Sequence, residues 1–186
     1  MILENILIYF VIIPLLMLAG LAVCRNMNQI RTVMTVLSTI LLGLSIYLCV
    51  DFLAIRAAGN VEPMLYMASW NWYEPLNIKL SLGVDGISVL MIMLSAIIVF
   101  AGTFASWKIS PLPKNFFLWF ALLSMGVFGF FISIDIFTMF MFYEVALIPM
   151  YLLIGVWGTG RKEYSAMKLT LMLMGGSAFL MLGLLG

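Results

Sequence analysis

Six long apolar runs, broken by short polar stretches and by one longer mixed segment, organise this chain. A helix needs roughly 20 apolar residues to cross a hydrocarbon layer about 30 Å thick. That length predicts spans at Ile6 to Cys24, Val33 to Ile55, Ile87 to Trp107, Phe116 to Ser133, Ile136 to Trp157, and Tyr164 to the end. The fold class expected is therefore an all-α membrane protein of about six transmembrane helices. The long connection, from about residue 56 to residue 86, differs in composition: it holds two Trp, Pro63, Pro75 and Asn71. Within it Asn77-Ile-Lys-Leu-Ser-Leu alternates with a period of two, as a strand does, and a short extramembrane hairpin with interfacial aromatics is predicted.

Composition agrees with lipid as the solvent. Hydrophobic residues make up 65% of 186 residues and charged ones 9%, with mean hydropathy +1.20. A soluble domain of this size would need roughly a quarter to a third of its surface charged. Nine Lys+Arg against eight Asp+Glu leaves no clustered basic patch for phosphates, which excludes a nucleic-acid partner. With no His and two Cys, ligands for a zinc or haem site are lacking, and neither metal nor cofactor is expected in this chain. Cys24 ends the first span and Cys49 lies near the far end of the second, at opposite faces, so no disulfide joins them. Glu4, the lack of a basic residue before the first apolar run and the lack of a small-residue cleavage site predict a retained first helix, not a leader.

Charge then orients the helices, because short cytoplasmic loops hold Lys and Arg. The first, third and fifth loops carry Arg25, Arg31, Lys108, Lys114, Arg161 and Lys162, with Lys168 just inside the sixth span; the other side carries Arg56 and Lys79. The N-terminus is expected outside and the hairpin on the periplasmic side or its equivalent. The sixth span runs to Leu184-Leu185-Gly186 without a polar flank, from which a truncated chain is expected.

Seven of the eight acids fall in loops or at helix ends; Glu144 does not. Eight residues into the fifth span, it lies about 12 Å deep. A carboxylate there costs at least a few kcal/mol, about 3 on insertion scales, unless it meets water, protein or a counter-charge, and ion or proton movement is the usual reason to keep one. The alternative is a protonated acid acting as packing glue. Pro149, five residues on, cannot donate to the carbonyl of Val145, which suits a kinked helix beside the site. Lys168 is a weaker candidate: it tunes the acid or starts a cytoplasmic proton path, or it snorkels at a helix end. Helix six is expected to reach the depth of Glu144 nearer Gly175-Gly176-Ser177, where small residues allow close packing. Asp85 and Asp135 precede helices three and five, where an acid caps the helix dipole.

Three stretches carry a resemblance: Gly83-Val-Asp-Gly-Ile-Ser-Val-Leu, the Ala105-Ser-Trp-Lys that closes helix three, and Phe142-Tyr-Glu-Val-Ala-Leu-Ile-Pro-Met-Tyr-Leu-Leu-Ile-Gly-Val-Trp-Gly. The last is highly specific. Together with Arg161, the Ala166-Met-Lys168 stretch and Gly176-Ser177, they resemble subunit M, or chain 4, of NADH-quinone oxidoreductase, respiratory complex I. The resemblance implies an antiporter-like, proton-translocating subunit of about fourteen helices, built from two inverted five-helix repeats with the ion site near the midplane. It implies that residues 1–115 are three leading helices, that 116–186 begin the first repeat, and that the family's essential buried Glu falls on Glu144.

In that family quinone reduction occurs in other subunits, which hold NADH, flavin, iron–sulfur clusters and quinone. The implied partners are other membrane subunits, above all neighbouring antiporter-like ones, in a bacterial cytoplasmic membrane. The multi-subunit sodium/proton exchanger family shares this helix core and the acid, and is the first rival. A membrane scaffold without translocation is the second.

Overall fold

In a computed structural model of the protein, residues 5–24, 26–59, 62–73 and 78–185 are described; of residues 70–73, 78–79 and 184–185 only the backbone is. Arg25, Pro75 and Asn77 lie outside the described residues, and so do the side chains of Lys79 and of the hairpin's two Trp. A 3₁₀ turn over Ile6–Ile8 leads into α1 (Tyr9–Val23), followed by α2 (Met27–Ala57), β1 (Leu65–Tyr73), β2 (Ile78–Val84), α3 (Gly86–Ala105), α4 (Pro113–Ile132), α5 (Ile136–Trp157) and α6 (Lys162–Leu185). Among the described residues, six helices are long and apolar enough to cross a membrane. The chain is an integral, multi-pass membrane protein.

The largest departure from the expected boundaries is α2, which has 31 residues and starts at Met27 instead of Val33. Asn26 and Gln29 form a reciprocal cap at its start, satisfying amides that would otherwise be orphaned. Polar Asn28, Gln29 and Arg31 then stay helical; Asn28 and Gln29 are exposed, while the Arg31 guanidinium lies 5.3 Å from the Trp107 ring centroid.

Four helices close into a ring: α1 packs on α2, α2 on α3, α3 on α4, and α4 back on α1. Their shared core includes Phe10, Met17, Met34, Leu41, Ile92, Phe117 and Phe128, and the rings of Phe10 and Phe128 meet at 5.6 Å. The two last helices extend from that ring, α5 against α4 and α6 against α5. Burial falls in the same order, from α4 to α5 to α6.

On one face of the bundle the strands β1 and β2 pair antiparallel, with register irregularities between Leu65 and Ala68 and between Asn71 and Tyr73. The backbone amide of Ile134, between α4 and α5, donates to Ser81 O at 3.0 Å. Gly83 leaves room beside this contact for the Ile134 side chain, whose Cδ1 would overlap a Cβ at that position. Tyr66 ties the hairpin to two helix ends: its carbonyl accepts from Asn5 Nδ2 at 2.7 Å and its hydroxyl donates to Asp51 Oδ2.

The opposite face carries the basic loops, and there a cation meets the end of each of α1, α3 and α5. Arg31 Nη2 donates to Trp107 O at 2.8 Å, just past α3. Lys114 Nζ donates to Cys24 O at 2.7 Å, past α1, and Lys162 Nζ to Val156 O at 2.8 Å in the last turn of α5. Each places positive charge at the negative end of a helix dipole and satisfies an orphan carbonyl.

Candidate functional site

Asp135 starts the element that carries the candidate acid. Its carboxylate accepts from the Thr138 amide at 3.2 Å and caps α5. Asp85 does the same for α3, accepting from the Ser88 amide at 2.7 Å. That hydrogen bonding, with the Ser88 hydroxyl second, holds the Asp85 carboxyl below the usual carboxylate range.

From its cap α5 runs unbroken through Pro149, which is buried. Proline removes the bond to the Val145 carbonyl, so the helix loses one internal brace a single residue past Glu144. Packing on α4 braces this segment from one side. A Cβ on Gly126 would lie 2.7 Å from the Ala146 Cβ, and one on Gly129 would overlap the Phe142 ring, so two glycines three residues apart let the backbones of α4 and α5 close together. Sequence reasoning misses this pair, although its small-x-x-small spacing is a usable signal. Gly175 and Gly176, where close packing is expected, both face open space, with nothing within 4 Å of where a Cβ would sit.

On the other side α6 meets α5 through Tyr143, whose hydroxyl donates to Leu173 O at 3.1 Å. Its ring lies 6.4 Å from that of Phe130 on α4. Helix six thus meets this part of α5 at Leu173, two residues earlier than Gly175-Gly176-Ser177; Ser177 instead donates to Met174 O within its own helix.

Glu144 is half-buried. Residues four and seven further along share its face of the helix, and these are Ile148, 59% exposed, and Tyr151, 42% exposed. The acid therefore lies in a stripe that the six helices leave largely uncovered, and it has no hydrogen-bond or ion-pair partner among the described residues. Lys168 is exposed, five residues and about 7.5 Å along α6 from Leu173. It lines a shallow surface depression with Tyr164, Met167, Leu171 and Met172, and it forms no ion pair with Glu144. The structure gathers Asp135, Glu144 and Pro149 on α5, leaves Lys168 apart on α6, and keeps Asp85 at the hairpin end of α3.

Residues 133–186, which include α5, α6 and Glu144, match the model of the NADH:quinone oxidoreductase/Mrp antiporter transmembrane family. The chain resembles an antiporter-like membrane subunit of the NADH-quinone oxidoreductase type. Chloroplastic NAD(P)H-quinone oxidoreductase chain 4 of Angiopteris evecta is 38% identical over 127 residues, 68% of this chain and 25% of that one. A chain 4 from a Picosynechococcus strain is 34% identical over 117 residues, 63% of this chain and 21% of that one.

This chain spans about a quarter of the length of those relatives. Its fold is also that of a chain in the membrane-bound sulfane sulfur reductase, an archaeal respiratory membrane complex, with TM-score 0.72 at 20% identity over 96% of this chain and 36% of that one. The shared fold thus includes α1 to α4, which precede the segment that the family model matches.

Proposed function

We propose that this chain is part of a proton-translocating subunit of an NADH-quinone oxidoreductase, with Glu144 as a proton carrier in its path. The single observation that carries the reading is an acid about 12 Å inside a membrane span, in a stripe left uncovered beside exposed Ile148 and Tyr151. Burial opposes ionisation and a nearby cation favours it. Glu144 alternates between acid and carboxylate as a cationic group outside these six helices approaches and withdraws, and Lys168, on the basic face, supplies a weaker local field. Redox chemistry belongs to other subunits, which hold the NADH, flavin, iron–sulfur and quinone sites. The partners are membrane subunits of that assembly, and the basic face is cytoplasmic, with the N-terminus outside a bacterial cytoplasmic membrane.

The family description covers both the oxidoreductase and the Mrp antiporter, and the relatives described above are chain 4 proteins. That favours the oxidoreductase over the cation/proton exchanger reading. Glu144→Gln keeps shape and most hydrogen bonding but removes the charge change. In the intact assembly in vesicles we expect normal assembly, with proton pumping and NADH-quinone turnover both reduced at least several-fold. Unchanged pumping and turnover would make the acid packing glue and the subunit a scaffold.

A further inference from the structure

We infer that Tyr143 is the positioning residue for Glu144: held between α4 and α6, it sets the rotation of α5 and hence the direction in which the carboxyl group leaves the helix. The inference rests on the proton-transfer reading of Glu144.

Successive helical residues are about 100° apart around the axis, so the angle of Tyr143 fixes that of Glu144. Tyr143 is restrained from two sides, by the Phe130 ring at 6.4 Å and by the Leu173 carbonyl at 3.1 Å. The Phe142–Gly129 and Ala146–Gly126 contacts bring α5 onto α4, but they are apolar and bear on one side only. They set separation better than angle. Pro149 removes a backbone bond in the same turns, which leaves the segment around Glu144 easier to twist and makes an outside tether more consequential.

The tether is a neutral one. A backbone carbonyl has two lone pairs, so Leu173 O accepts from the phenol in addition to its helical partner. With its proton directed at that carbonyl, the Tyr143 hydroxyl is committed to holding the helices and is not itself a relay. Charged groups on the helices packed against α5 are Lys114 on α4 and Lys162, Glu163 and Lys168 on α6. Of these, Lys168 stands nearest in sequence to Leu173. A rotation of α5 therefore changes what Glu144 faces without changing any charge.

Tyr143→Phe removes one oxygen and keeps the ring against Phe130. In the intact complex in vesicles, the assembled amount, the proton-to-electron ratio from acid to alkaline pH and the infrared carboxyl band of Glu144 are measured beside Glu144→Gln, whose difference spectrum assigns that band. The expected result is normal assembly, a ratio lowered about twofold or more at neutral pH, a displaced pH profile and a shifted carboxyl band. An unchanged profile and band in Tyr143→Phe, with pumping lost in Glu144→Gln, overturns the positioning role and leaves the proton-transfer reading standing. Normal pumping in Glu144→Gln overturns that reading and this inference with it. Poor assembly of Tyr143→Phe makes the tether ordinary packing and also overturns the inference.

Discussion

At Tyr66 one side chain and one carbonyl connect the hairpin to the starts and ends of two helices, although nothing in the local sequence marks the residue. Its φ of 57° lies in the left-handed region, which costs a non-glycine residue about 1 kcal/mol or more. The bonds to Asn5 and Asp51 hold it there. Burial, then the hydrogen bond to Asp51 and that group's charge, push the phenol above its ordinary value of 10.0. A raised folded value means that the folded state keeps its proton after the unfolded state has lost it. The contribution is therefore complete below about pH 10 and is lost as pH rises further through the folded value. Tyr66→Phe should loosen the hairpin by about 1 kcal/mol, the worth of one half-exposed bond, with hydrogen exchange of the β1 and β2 amides several-fold faster. Equal exchange in the two proteins would mean that Tyr66 does not fasten the hairpin.

Between elements, the seam of α4 and α5 depends on the lack of side chains at two positions. A Cβ at Gly126 would meet the backbone of Ala146, with Cα and N both at 2.9 Å, and backbone cannot swing aside as a rotamer does. Gly126→Ala should therefore destabilise the helix pair by about 1–3 kcal/mol, the usual range for overpacking. Gly176→Ala is the control: nothing lies near it, and replacing a helical glycine with alanine is worth up to about 1 kcal/mol in the other direction. Thermal unfolding in detergent compares the two. Similar midpoints would place the α4–α5 contact elsewhere.

Over the whole molecule, strict alternation of six spans puts the hairpin on one side of the membrane and the loop between α3 and α4 on the other. Met67 is 69% exposed in β1, and Lys108 is exposed beyond α3. With Cys24 and Cys49 replaced, Met67→Cys and Lys108→Cys should react with a membrane-impermeant maleimide from opposite sides, and Met67→Cys from the outside. Labelling of both from one side would break the six-span topology. Labelling from opposite sides with Lys108→Cys outermost would keep the topology and reverse the orientation.

Apolar length alone determined the six spans, because a hydrocarbon layer about 30 Å thick admits few other structures and each helix satisfies its backbone internally. Local chemistry determined the caps at Asp85 and Asp135, whose partners lie three residues away, and counting along the fifth span placed Glu144 eight residues from its start. The helix α2 starts well before its apolar run does, since polar residues at headgroup depth break a hydropathy pattern without breaking a helix. Only the tertiary structure decided that α1 closes on α4, that Gly126 and Gly129 form the α5 seam, that α6 meets Tyr143 at Leu173, and that Lys114 terminates α1. Each joins residues far apart in the chain, and a sequence read by span length and local periodicity holds no term for which faces of two equally apolar helices will meet.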